Sequence, residues 1–192
     1  EADLRLLAGV GATAAFVPSV EEMHPPGDQT QVVPGDIASR LEGAARPGHF
    51  LGVATVVTKL FEIVRPTRAY FGQKDFQQLR VIQTIVRDLA MDVRIVPCAT
   101  VRDEDGLSLS SRNAYLSADE RRRALCLSRG LFAARDAFAA GERDPARLRS
   151  IVEEIAREAG HLEYLSVADP TTLAELDAPA ESAVISLACR VG

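Results

Sequence analysis

"RAYFGQKDFQQLRVIQTIVRDLAMDVRIVPC", residues 68–98, sets two short runs suited to strands on either side of a stretch with helical spacing. "RAYFG" and "DVRIVPCAT" are brief and rich in apolar, β-branched or aromatic residues. In "DFQQLRVIQTIVRDLAM" between them, Leu79, Ile82, Val86 and Leu89 recur at the spacing of one apolar stripe on a helix. Strand, helix and strand with short connections form a βαβ unit, and the handedness of its crossover makes the two strands parallel. This stretch places the chain in the α/β class.

Working upstream, "FLGVATVVTKLFEIV" carries Phe50, Val53, Val57, Leu60, Phe61 and Val64 at helical spacing and runs too long without a breaker for a strand. Pro66 ends it. Its β-branched content points to burial against the sheet or against a partner chain. "EADLRLLAGVGA" reads as the last turns of a helix closed by glycine, and "TAAFVP" as a short strand ended by Pro18. The Pro- and Gly-rich "EEMHPPGDQTQVVPGD" reads as a loop.

Downstream of Thr100 the texture becomes polar and turn-rich. Ser117 with Glu120 forms a capping box opening a long helix lined by Ala124, Leu127, Leu131, Ala134 and Phe138. Gly141 can end it, and Asp144 with Pro145 starts another, through about Ala159. "HLEYLSVADP" and "ESAVISLACRVG" read as strands of a small α+β unit. The domain boundary is expected near residue 100, giving units 1–100 and 101–192.

The chain has 192 residues, 47% of them hydrophobic and 26% charged, which is enough for packed cores in one or two domains. A net charge of -5 argues against a broad nucleic-acid-binding face but leaves room for a small anion site. Cys98, Cys126 and Cys189 are odd in number and widely spaced, the pattern of buried, reduced thiols in a cytosolic protein. No export leader or membrane span is signalled. The chain opens on Glu1, and both of its ends read as interrupted elements.

Two constellations carry chemistry. In "FGQKDFQQL", residues 71–79, Gly72 permits close backbone approach and Lys74 supplies a point charge. Asp75 can cap the helix or accept ligand hydroxyls, and Gln78 lies on the first helical turn. In open α/β sheets, ligands bind beyond the carboxyl ends of the strands, which is where this junction falls. The same residues also suit a solvated loop with Asp75 as N-cap. In "GLSLSSRN", residues 106–113, the hydroxyls of Ser110 and Ser111 precede the forked cation of Arg112, a set suited to phosphate oxygens and equally to a serine-rich turn. Together the two loops supply the groups needed to hold a triphosphate through phosphoryl or adenylyl chemistry.

"YFGQKDFQQL", "VRDEDGLSLSSRNAYLS" and "LEGAARPGHFLGVATVVTKLFEIVRP", in their order and spacing, resemble the pantothenate synthetase (pantoate–β-alanine ligase) family over nearly the whole chain. The resemblance implies an incomplete Rossmann-like nucleotidyltransferase domain followed by a small lid-like α+β domain, in a cytoplasmic homodimer without nucleic-acid or membrane partners. It implies that pantoate attacks ATP with Mg²⁺ assistance, releasing pyrophosphate, and that β-alanine then takes the acyl group from the adenylate. Lys74 resembles the family's phosphate-contacting lysine, and Gly72 and Asp75 match groups at the ribose. Gln78 matches a pantoate-holding glutamine, and Ser110, Ser111 and Arg112 match the triphosphate grip. Val101 falls where backbone meets adenine, and Arg46 and His49 in "RPGHF" border the site.

The family's Met-Gly segment and His-x-Gly-His motif do not appear: His24, His49 and His161 form no such pattern, and "RPGH" at 46–49 belongs to a later family loop. The chain is therefore expected to begin after that segment, to lack protein ligands for Mg²⁺ and to turn over slowly on its own. Two other readings stand beside this one: a related nucleotidyltransferase acting on another carboxylate, and a non-catalytic fragment acting through the helix at 50–64. The "ERRRA" run at 120–124 reads as a solvated helix face.

Overall fold

Residues 1–191 are described in a computed structural model of the chain, which divides into a short unit, Glu1–Gln31, and a larger one from Val32 onward. In the short unit, α1 (Ala2–Gly9) is closed by turns through Gly11, whose φ of +80° suits glycine. The strand expected at "TAAFVP" is not formed. Phe16 and Val17 are exposed, and no strand within this unit offers the backbone partners that an isolated strand needs. Within the stretch read as loop, Ser19 and Glu22 instead make a reciprocal capping box for one helical turn, α2 (Val20–Met23). His24 follows, its Nδ1 3.2 Å from Asp28 Oδ2.

The larger unit opens with a 3₁₀ turn (Asp36–Ser39) and a short helix, α3 (Leu41–Ala45). Gly43 is buried so close to the preceding turn that a Cβ would run into the Ala38 carbonyl. Next, α4 (His49–Val64) spans the predicted helix; Arg65 closes it in the left-handed conformation and Pro66 prevents its continuation.

The predicted βαβ unit is present. Strand β1 (Arg68–Gly72) leads through a 3₁₀ turn (Gln73–Asp75) into α5 (Phe76–Asp88) and then β2 (Arg94–Cys98). The strands are parallel, in register from Arg68 opposite Arg94 to Gly72 opposite Cys98. Val57 and Phe61 of α4 and Ile82 of α5 form the core on this sheet, with Phe71, Val86 and Ile95 around them. Full burial of a side chain such as Ile82 contributes about 2–3 kcal/mol. The helix stripe differs from the expectation at its end: Leu89 is exposed, because α5 stops at Asp88 and the chain turns through Ala90 at φ +51°. Val81 and Ile85 are buried instead.

After β2 the chain folds back on itself over residues 101–109. A 3₁₀ turn (Ser111–Tyr115) then leads to α6 (Ala118–Ala139) and α7 (Pro145–Ala156). Both predicted starts are present: the Ser117–Glu120 capping box, and Asp144 accepting from the Ala146 N–H with Pro145 in the first turn. The antiparallel strands β3 (His161–Ala168) and β4 (Val184–Arg190) pack with these helices around Ala134, Leu148, Val152, Ala156 and Val167. All three cysteines are free, but only Cys126 is buried. Cys98 and Cys189 are half-buried, because each lies on a strand of a two-stranded sheet that leaves part of its surface open.

Candidate active site at the carboxyl edge of the parallel sheet

Gly72 and Cys98 are paired at the carboxyl ends of β1 and β2, so the chain leaves both strands on the same edge of the sheet. From β1 it passes directly into Lys74 and Asp75. Lys74 Nζ is 3.3 Å from Asp75 Oδ1, and both side chains are substantially exposed. An exposed pair of this kind contributes little stability, so either partner can exchange it for a ligand at small cost. Asp75 occupies the N-cap position of α5 without accepting a capping hydrogen bond, which leaves its carboxylate to other partners. The capping role that the sequence allowed for Asp75 is therefore not used.

The two glutamines that follow have different roles. Gln77 is buried, donates through Nε2 to the carbonyls of Ile37 (2.8 Å) and Arg40 (2.7 Å), and accepts the Glu42 N–H through Oε1 (3.0 Å). It fastens the start of α5 to the segment that enters α3. The side chain of Gln78, half-buried, makes no hydrogen bond among the described residues. Sequence reasoning singled out Gln78 and missed Gln77. A polar side chain two residues ahead of the buried Leu79 was the available signal.

From β2 the chain reaches Val101 three residues beyond Cys98. The Leu109 N–H donates to the Val101 carbonyl (2.9 Å) and the Asp103 N–H to the Leu107 carbonyl (2.8 Å), with an antiparallel bridge between Arg102 and Ser108. This hairpin brings Leu109 back to Val101, so Ser110, Ser111 and Arg112 follow directly from a residue hydrogen-bonded to Val101. Ser110 Oγ accepts the Arg112 N–H (3.2 Å), leaving its hydroxyl proton free to donate. Arg112 is exposed and makes no ion pair among the described residues, whereas Arg121, Arg122 and Arg123 of the run read as solvated are paired with Asp103, Asp105 and Asp119. Among the described residues no hydrogen bond or ion pair joins Lys74 to Arg112.

Arg46 follows α3, with Nη1 3.0 Å from Glu42 Oε1, and His49 begins α4 with its ring against Phe50. Neither is hydrogen-bonded or ion-paired to Lys74, Asp75 or the 110–112 segment. Tyr164 of β3 was read only as a strand residue. Burial pushes its phenol up to about 12, and the negative charges of Glu42, Asp75 and Glu163 add to the shift. A depression lined by Arg80, Gln83, Thr84, Val86, Arg87 and Ile95 lies on the flank of α5 and contains none of the candidate residues. Its arginines are hydrogen-bonded to Gln83, to the Thr171 carbonyl and to Asp88.

The sequence matches the family model described as pantoate-beta-alanine ligase over residues 1–192. The chain belongs to the pantoate–β-alanine ligase family. Among its relatives, the pantothenate synthetase of Chloroflexus aurantiacus is 52% identical over 191 residues, covering 98% of this chain and 68% of the relative. A crystal structure of pantothenate synthetase from Thermus thermophilus superposes with a TM-score of 0.93 at 45% identity, covering 99% of this chain and 70% of that one. A pantoate-beta-alanine ligase from Francisella tularensis, solved in complex with β,γ-ATP and β-alanine, matches with a TM-score of 0.72 at 33% identity, covering 86% of this chain and 60% of that one. The chain thus spans about two thirds of the length of the relatives it matches. These relationships favour pantoate as the acceptor over another carboxylate and support the α/β class.

Proposed function

We propose that this ligase joins pantoate to β-alanine through a pantoyl adenylate, and that its carboxyl sheet edge is the ATP- and pantoate-binding wall. The reading is supported by Lys74, which follows directly from the carboxyl end of β1 in an exposed ion pair, and by Arg112, which is exposed and makes no ion pair among the described residues. Pantoate and ATP are both anions, and joining them requires positive charge beside the oxygens of the pentacoordinate transition state and the departing pyrophosphate, where negative charge builds. In this reading Lys74, Ser110, Ser111 and Arg112 hold the triphosphate, and Gly72 and Asp75 meet the ribose. The Val101 N–H, which makes no backbone hydrogen bond among the described residues, meets adenine. Gln78 holds pantoate, and Arg46 and His49 border the site.

Among the described residues no group of three or more His, Cys, Asp or Glu is placed to hold a metal. The side chains present do not form a magnesium cage. Magnesium brought with ATP would take its ligands from phosphate oxygens and water, and no step here is routed through a metal held by this chain. We assign 1–100 to nucleotide binding and 101–192 to a lid, in a cytoplasmic homodimer. Free thiols at all three cysteines support a reducing compartment.

Calorimetric titration of the chain with ATP and with pantoate tests the assignment. Arg112→Gln is expected to weaken ATP binding about ten- to hundredfold, the effect of losing a charged hydrogen-bond partner, and to leave pantoate unaffected. Gln78→Ala is expected to do the reverse. Parent-like binding of both ligands by both variants would reject the assignment.

A further inference from the structure

We propose that Arg121, near the start of α6, is a positioning residue for the Ser110–Ser111–Arg112 segment. The proposal rests on the reading of that segment as the triphosphate grip. Among the described residues Arg121 makes no hydrogen bond or ion pair with any of the three. Its Nη2 donates to Asp103 Oδ2 (2.7 Å) and Asp105 Oδ2 (2.8 Å), and its Nε donates to Asp105 Oδ2 (3.0 Å).

The two aspartates form the tip of the 101–109 hairpin. Asp105 also accepts the Leu107 N–H (3.1 Å), the leading cause of its lowered pKa, to which Arg121 adds. Two carboxylates in one tight turn repel each other, and a guanidinium forked between them turns that repulsion into an attachment of the tip to α6.

Other contacts fix the same hairpin. The Arg102 guanidinium lies 5.0 Å from the Phe132 ring centroid on α6 and donates through Nη1 to the Gly106 carbonyl. Gly106, at φ +93°, lies beside Ser128 of α6, where a Cβ would meet the hydroxyl oxygen at an ordinary contact distance of 3.5 Å. Beyond the hairpin, Asn113 Nδ2 donates to the Ser108 carbonyl (2.9 Å), and the Ser117 capping box begins α6.

The segment that carries Ser110, Ser111 and Arg112 is therefore strung between two points on one rigid helix: the hairpin, held by Arg121, and the α6 N-terminus itself. It is also largely exposed and contributes nothing to either core. Its position is thus set by its ends, and Arg121 is the ion-paired anchor of one of them.

The test is ATP affinity measured on the whole chain for Arg121→Gln, Arg121→Lys, Arg112→Gln and the Arg112→Gln/Arg121→Gln double variant, with adenosine as the control ligand. Arg121→Gln is expected to weaken ATP roughly three- to thirtyfold, the range for a residue that modulates a site it does not touch, while adenosine binds as before. Lysine, which keeps the charge without the fork, is expected to recover only part of the loss. In the Arg112→Gln background Arg121→Gln should cost less than in the parent, because one of the three groups it positions is gone while Ser110 and Ser111 remain.

To separate position from charge, Asp103→Asn and Asp105→Asn are added to Arg121→Gln. If the loss persists, the tether matters; full recovery of ATP affinity would show that unpaired negative charge alone caused the loss and would overturn the proposal. Parent-like ATP binding by Arg121→Gln, or the same loss with and without Arg112, would also overturn it. If Arg112→Gln itself binds ATP normally, the underlying phosphate-grip reading falls and takes this inference with it, an outcome distinct from failure at Arg121 alone. Should Arg121→Gln not fold, Asp105→Asn, which keeps the Asp103 pair, is expected to give a smaller loss in the same direction, and its absence would count against the proposal.

Discussion

Replacing Gln77 with alanine should separate the two neighbouring glutamines by what each does. Gln77 satisfies two backbone carbonyls and one backbone N–H of the segment around α3 from a buried position. The alanine variant loses three hydrogen bonds worth about 1 kcal/mol each and leaves partly buried groups to find water, so the loss of unfolding free energy should be about 3–4 kcal/mol. That is a large share of the roughly 5–15 kcal/mol available to a typical domain. Urea denaturation followed by circular dichroism reads it as a lower midpoint with unchanged slope. Gln78→Ala, which breaks no hydrogen bond among the described residues, should stay within about 0.5 kcal/mol of the parent while losing pantoate affinity. A Gln77→Ala loss below about 1 kcal/mol, or equal losses at both positions, would refute the assignment of structure to one glutamine and ligand to the other.

Gly43→Ala should destabilise the chain by about 1–3 kcal/mol or more, since the added methyl meets the Ala38 backbone and not a movable side chain; differential scanning calorimetry reads the lowered Tm, and an unchanged Tm would contradict the close packing. The Tyr164 phenol is raised from 10.0 to about 12, so the folded state holds its proton more tightly than the unfolded chain. Its contribution to stability is therefore fully present below pH 10 and is lost as pH rises through about 12. Absorbance at 295 nm should show the highest phenol ionisation step vanishing in Tyr164→Phe, and superimposable titrations would disprove the burial effect.

Much of the fold was legible because local chemistry and tertiary packing agree. The apolar stripe at Leu79, Ile82 and Val86 selects one face of α5: Leu79 is buried, and Ile82 and Val86 pack in the core on the sheet. Ser117 with Glu120, and Asp144 with Pro145, start helices by satisfying N–H groups within a few residues, so no distant partner is required. "TAAFVP" fails for the opposite reason: a strand is completed by a neighbour, and composition cannot supply one. Leu89 fails because periodicity continues past the point where the chain turns.

The candidate site divides along the same line. Lys74, Asp75, Gln78 and the 110–112 segment could be named from residue type and spacing, since glycine, hydroxyl and cation beside a strand end carry their chemistry locally. Gln77 could not: its three partners lie 35 to 40 residues away in sequence. Nor could Arg121, which sits in a basic run whose members look alike until the hairpin brings Asp103 and Asp105 to one of them. From the sequence alone came the α/β class, the helix starts and the identity of the candidate ligand-facing groups, because these depend on short-range periodicity, capping and side-chain chemistry. The tertiary structure alone decided which polar residues are fasteners and which remain free for ligands. That distinction depends on hydrogen bonds and ion pairs between residues brought together only by folding.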